Sequence, residues 1–188
     1  MSMSLAACGK QEGSNPGGQT EQKEYVYVPE YLELDDNTNS SYSNMTVQGD
    51  KLYYTNYQWD EASGESKVVI GAYSLTDGSR EDLPITINAD GGGIYSMQAD
   101  AEGNIYTAEF EWNATEGDDA YTQQTTVLHK YDTSGTELMA QDITDIMQQD
   151  ENNSYVGSMC LDDQGRFYIS SDSLIRLFGS DGQLPGAV

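Results

Sequence analysis

Met97-Gln98-Ala99-Asp100-Ala101-Glu102-Gly103-Asn104-Ile105-Tyr106 is the stretch on which the fold turns. A short alternating strand runs into an Asp/Gly turn, and an apolar residue followed by Tyr opens the return strand. Gly supplies the positive φ that such hairpin turns need. The pattern occurs twice more. Upstream it is Met45-Thr46-Val47-Gln48-Gly49-Asp50-Lys51-Leu52-Tyr53-Tyr54, one residue shorter in the turn. Downstream it is Met159-Cys160-Leu161-Asp162-Asp163-Gln164-Gly165-Arg166-Phe167-Tyr168.

The match extends beyond the hairpin. Tyr53, Thr55, Tyr57 and Trp59 share one strand face, and Tyr106, Ala108, Phe110 and Trp112 do so at the same offsets, the period of two that marks a strand. A third strand follows at Val68–Tyr73, Thr126–Tyr131 and Leu174–Phe178, each ending in a Gly turn. A fourth follows around Asp82–Ile87 and Glu137–Ile143. Four antiparallel strands per unit, repeating after 52 and then 62 residues, predict an all-β fold, a partial β-propeller of about three four-stranded antiparallel blades. A β-sandwich of similar hairpins is the alternative. Met45, Met97 and Met159 read as inner-strand core filling gaps between blades. One helical turn is expected near Asp145–Asp150, where Ile143, Ile146 and Met147 have helical spacing and Asp142 or Thr144 can cap. The third unit reaches Pro185-Gly186-Ala187-Val188 where its fourth strand would begin. The body thus reads as an incomplete propeller, with Met45, Val47, Leu161 and Phe167 on open flanks. Self-association or a missing downstream domain would cover them.

Composition narrows the partners. Eight Lys+Arg stand against 32 Asp+Glu in 188 residues, a net charge of -24. Without a basic face, nucleic acid and charge-held anionic membrane are excluded as partners. Leu, Ile, Val and Phe total 32 residues, few enough to flag disorder at this charge. Fourteen Tyr and two Trp offset this, because they carry large buriable faces and favour strands. No apolar run reaches the length of a membrane span.

The N-terminus carries an address. Leu5-Ala6-Ala7-Cys8 resembles a bacterial lipobox, in which the Cys becomes the new N-terminus and takes a diacylglycerol through a thioether. Each buried acyl CH₂ adds about 0.8 kcal/mol to membrane attachment. Residues 1–8 read as a truncated lipoprotein signal, since neither a basic n-region nor a full apolar h-region precedes the motif. Residues 9–24 hold no apolar side chain and read as a flexible linker; 25–188 form the body. With Cys8 lipidated, Cys160 stands alone, so there is no disulfide framework. Flanked by Met159 and Leu161, it is expected to be a buried structural thiol.

Tyr25-Val26-Tyr27-Val28-Pro29-Glu30-Tyr31-Leu32-Glu33-Leu34, Gly49–Tyr54, Ile143-Thr144-Asp145 and Gly165-Arg166-Phe167-Tyr168-Ile169-Ser170 carry a resemblance. Together they resemble the N-terminal propeller-like region of large surface lipoproteins of Gram-positive gut bacteria. In that family the region often precedes an extracellular solute-binding module of an ABC transporter. The resemblance implies a lipid-anchored protein on the extracellular face of the bacterial cytoplasmic membrane, accessory to solute capture. No solute-binding module is found in this chain, so no transport role falls on its residues.

Chemistry-bearing motifs are sparse. No Gly-rich phosphate loop follows a strand, and no Cys/His spacing fits zinc; no cofactor and no metal are expected. Asp35-Asp36-Asn37-Thr38-Asn39-Ser40 faintly resembles a Ca²⁺ loop. It lacks Gly at position six and has Thr46 where the bidentate Glu should stand, so it reads as a solvated connector. The single His129 has no partner legible in sequence. Two functional classes remain. One is a non-enzymatic surface binding module for carbohydrate or peptide, with Trp59 and Trp112 as candidate contacts or, alternatively, blade packing. The other is a fragment of an extracellular propeller enzyme acting on polysaccharide.

Overall fold

The repeated hairpins become three successive antiparallel meanders. The first contains β1 (Ser40–Gln48), β2 (Lys51–Asp60), β3 (Glu65–Ser74) and β4 (Arg80–Asn88). The second contains β5 (Gly92–Ala99), β6 (Ile105–Asn113), β7 (Gln123–Tyr131) and β8 (Glu137–Asp142). After a single helical turn, α1 (Thr144–Met147), the third contains β9 (Ser158–Leu161), β10 (Phe167–Ser170) and β11 (Ile175–Phe178). The protein is all-β, with antiparallel sheets of four, four and three strands among the described residues. This computed structural model divides into units Met1–Leu32 and Glu33–Val188 and describes Leu32 and residues 40–89, 91–113, 123–149 and 155–185. Cys8, the linker 9–24 and all of Tyr25–Leu34 except Leu32 lie outside the described residues.

One turn is used repeatedly. At Asp100–Asn104 the N–H of Gly103 donates to Asp100 O at 3.0 Å, and the N–H of Asp100 donates to Asn104 O at 3.0 Å. Asp132–Thr136 and Asp162–Arg166 repeat this closure. In all three a Gly holds φ between +72° and +83°, the left-handed residue that lets a type I turn close a hairpin with a bulge. The shorter turn of the first unit has positive φ at Gly49 alone, as a two-residue type II′ turn requires.

The sheets stack face to face, with the second in the middle. Val68, Ile70 and Ala72 of β3 and Leu83, Ile85 and Ile87 of β4 meet Met97, Ala99 and Ile105. On the other side of the second sheet, Tyr106, Ala108 and Leu128 meet Met159, Phe167, Ile169 and Phe178, together with Ile143 and Met147 flanking and within α1. Burying an apolar side chain of this size contributes about 1.5–3 kcal/mol. The exposed Lys51–Glu81 pair, at 2.7 Å, belongs to a class worth about 0–1 kcal/mol. Layer packing therefore outweighs surface charge pairing. Asp142 accepts the N–H of Thr144 at 2.8 Å at the start of α1. The Thr144 hydroxyl instead accepts the N–H of Thr126 at 2.8 Å and ties the turn to β7.

The first strands β1, β5 and β9 lie beside one another, joined by side chains of β5. Gln98 Oε1 accepts from the Thr46 hydroxyl at 3.2 Å, and its Nε2 donates to Met159 O at 3.0 Å. Ser96 Oγ accepts the N–H of Met159 at 3.1 Å.

Three sequence expectations are corrected. Met97 and Met159 are 2% exposed, each entering the layer between its sheet and the preceding one, but Met45 is 57% exposed. It falls at an irregularity between Ser43 and Thr46, and no described sheet precedes the first. Cys160 is exposed, not buried, because β9 turns Met159 inward and the next residue outward. Phe167 is fully buried rather than on an open flank; its ring meets Tyr106 edge-on at 5.5 Å.

The turns yield a stability comparison. A Cβ at Gly103 would meet only the side chains of Thr133 and Tyr53 at 3.3 Å, which can shift, whereas one at Gly135 would strike the Pro84 carbonyl. Gly103→Ala should cost about 1–2 kcal/mol, the left-handed penalty alone. Gly135→Ala should cost clearly more, because it also pushes apart the first and second sheets. Urea unfolding of the two variants checks this, and equal losses would contradict it.

Candidate functional site

Trp59 and Trp112 lie at corresponding ends of β2 and β6. Trp59 pairs in register with Ser66, and Trp112 with Gln124. They are 47% and 41% exposed, so neither is consumed by packing between sheets. Trp59 forms the wall of a shallow depression of about 640 Å³ with Asp60, Glu61, Ser63, Glu65 and Lys67. The hairpin tip is preorganised. Asp60 accepts the N–H of Ala62 at 2.8 Å, and Gly64 donates to Asp60 O at 2.8 Å. The Ala62 and then the Ser63 N–H groups hold the Asp60 carboxyl below its ordinary range. Beside the indole, Tyr57 donates to Ser66 Oγ at 2.6 Å. An aromatic face bordered by carboxylates and one ammonium group suits a polar ligand with an apolar face.

A second polar cluster lies between the first two sheets. Glu109 Oε1 accepts from the hydroxyls of Thr107 at 2.5 Å and Tyr131 at 3.1 Å. His129 Nδ1 lies 2.7 Å from Glu137 Oε1, while Nε2 lies 3.8 Å from Glu109 Oε2. The imidazole stacks on Tyr131 at 5.7 Å and 9°. Burial, and then the Glu109 charge, push the Tyr131 phenol well above its ordinary value. A cavity of about 310 Å³ adjoins this cluster, walled by Ile87, Phe110 and Val127. His129 thus meets two carboxylates and the Tyr131 ring. Among the described residues, no group of three or more His, Cys, Asp or Glu is placed to hold a metal.

The turn carboxylates are committed to structure. Asp162 accepts the N–H groups of Gln164 at 2.9 Å and Arg166 at 3.0 Å, and the Arg166 guanidinium at 2.6 Å. Loss of hydration works against its charge, but these donors outweigh it and hold the carboxyl at about 2. Asp77 also sits at about 2, through Ser79 and Ser74. Asp100 is lowered although burial opposes this; the side chain and N–H of Asn104, the Tyr106 hydroxyl and Lys130 outweigh it.

Of the sequence candidates, the structure places both tryptophans at the surface, and Cys8 falls outside the described residues. The Thr107–Glu109–His129–Tyr131–Glu137 cluster was not legible, because it joins three strands of one sheet. Nor was a pocket on the far face of the first sheet, around Asn56. Its one sequence signal is Gly71 inside an apolar strand, which marks a close approach. The sequence matches no protein-family model and no curated protein.

The carboxylates set a pH dependence. A carboxyl whose folded pKa lies below the unfolded value stabilises fully above about pH 4, and that stabilisation is lost as pH falls through the folded value. Asp162→Asn should therefore be less stable than the wild type at neutral pH, with the gap closing as pH falls toward about 2. Reduced charge repulsion on acidification is common to both proteins and cancels. Urea midpoints across this range check the expectation, and a pH-independent gap would contradict it.

Proposed function

We propose that the chain is a cell-surface binding module. It is a lipoprotein held through diacylated Cys8 on the extracellular face of the bacterial cytoplasmic membrane. Its body is a partial β-propeller, and the Trp59–Trp112 end takes carbohydrate. The side-by-side first strands β1, β5 and β9 support the propeller reading, because inner strands of neighbouring blades meet in this way. The observation that carries the binding reading is the exposure of both indoles at equivalent positions of successive sheets, one of them over a preorganised depression. Indole faces stack on sugar rings, and flanking carboxylates accept sugar hydroxyls. Peptide is the second ligand class such a surface serves.

The chain contains only two Trp, so its indole fluorescence reports on this end alone. Titration with soluble polysaccharides and oligosaccharides should shift that emission, and Trp59→Ala should weaken binding about tenfold, near 1.4 kcal/mol. An unresponsive emission throughout, or unchanged affinity in Trp59→Ala, would overturn the ligand reading. For the anchor, mass analysis of the N-terminal peptide from cells should find diacylglycerol on Cys8, and Cys8→Ala should release the protein to the medium.

A further inference from the structure

We infer that the face of the first sheet turned away from the second carries a separate site for a single polyhydroxylated ring, a monosaccharide unit. This goes beyond the Trp59 reading, since strand alternation puts Tyr54 and Asn56 on the opposite face of β2 from Trp59, with Gln58 at the end of the strand bordering both depressions. β2 and β3 pair without a break from Lys51↔Ser74 to Asp60↔Glu65, so that assignment of faces holds along the whole strand. A cavity of about 320 Å³ lies there, lined by Tyr42, Tyr54, Asn56, Gln58 and the Arg80-Glu81-Asp82 stretch of β4.

Its floor depends on an absent side chain. Gly71 stands in register between Tyr54 of β2 and Asp82 of β4, and a Cβ there would fall within the Tyr54 ring. The ring consequently lies flat across β3, and Tyr42 meets it edge-on at 5.5 Å and 76°. At its margin, Asn56 is 5% exposed, and its Oδ1 is buried without a hydrogen-bond partner. A buried acceptor without a donor is unfavourable and infrequent, and here it belongs to a residue that lines a cavity. What enters must bring an N–H or O–H to it.

The remaining lining selects among donors. Asp82 and Gln58 offer acceptors, Glu81 is a second carboxylate already engaged by Lys51 at 2.7 Å, and Arg80 and the Gln58 amide offer donors. An anion would meet Asp82 and a chain of net charge -24, and a simple cation would meet Arg80. Hydroxyl groups both donate and accept, so a polyol satisfies every group at once. The volume lies at the lower limit of small-molecule sites and suits one ring rather than an oligosaccharide.

The test is titration of the isotope-labelled full chain with glucose, galactose and N-acetylglucosamine at millimolar concentrations, followed by amide NMR. At least one should shift resonances of Tyr54, Asn56 and Gly71 in a saturable way. Asn56→Ala should weaken that binding about tenfold or more, with an otherwise unchanged amide spectrum showing that the fold is kept. Gly71→Ala, which displaces the Tyr54 ring, should abolish it, and Trp59→Ala should leave it unchanged. If Gly71→Ala fails to fold, Arg80→Gln replaces it and should weaken binding. No shift with any of the three sugars, equal shifts in Asn56→Ala, or a response to n-butylammonium or sulfate in place of the sugars would overturn the proposal. Shifts that disappear only in Trp59→Ala would also overturn it, placing binding on the other face.

Discussion

The second sheet must be buried on both faces, and most of the structure follows from that constraint. A sheet with one wet face can alternate apolar and polar residues freely. The second cannot: Ile105, Tyr106, Thr107 and Ala108 of β6 are all at most 3% exposed, and the first shares the trait in β3, where Val68 to Tyr73 are buried without a break. Ala108 and Thr107 are small, which lets neighbouring layers approach. Thr107 keeps a polar group there by donating to Glu109. The edge of this sheet carries the same double duty in polar form. Gln98 reaches the strand before it and the strand after it with the two ends of one amide.

Charge is distributed to fit that scheme. An excess of carboxylates could have destabilised a compact chain through self-repulsion. Many of them instead close turns. Asp100, Asp132 and Asp162 each occupy the first position of the same hairpin and accept two backbone N–H groups from it. Those N–H groups point into the turn and would otherwise lack partners. The carboxylate is thus a local structural element first and a source of field second.

Much of the fold was legible because its signals are local. The Met-to-Tyr stretch marked the hairpins and put Gly103 and Gly165 at the positive-φ position of their turns, where the structure has them. The helical turn came from Ile143, Ile146 and Met147, although Thr144 uses its hydroxyl on β7 rather than as a cap. What escaped was the covering of each face. Period-two alternation separates Met159 from Cys160 but does not tell which side meets a neighbour, and a thiol between two apolar residues was therefore misplaced. Met45 is not core, since no described layer receives it; it and Val47 lie exposed, as the open-flank expectation had them. The pocket at Asn56 depends on residues from β1, β2 and β4 converging over Gly71, an arrangement that no short window contains.

The separation of the sheets has a consequence for how the molecule comes apart. The backbone ladder of each runs only within it, and among the described residues no backbone-to-backbone hydrogen bond joins one to the next. The chain is then close to a linear array of three units, each with an intrinsic stability and coupled to its neighbour by an interface energy. Cooperativity resides in two side-chain seams rather than in any continuous ladder. Among the described residues the third unit has the fewest and shortest strands, while the middle unit cannot open without breaking both seams. Exchange of backbone amides should accordingly follow the order of the units and not the depth of single residues, with the hairpins of β9 to β11 opening first and β6 last.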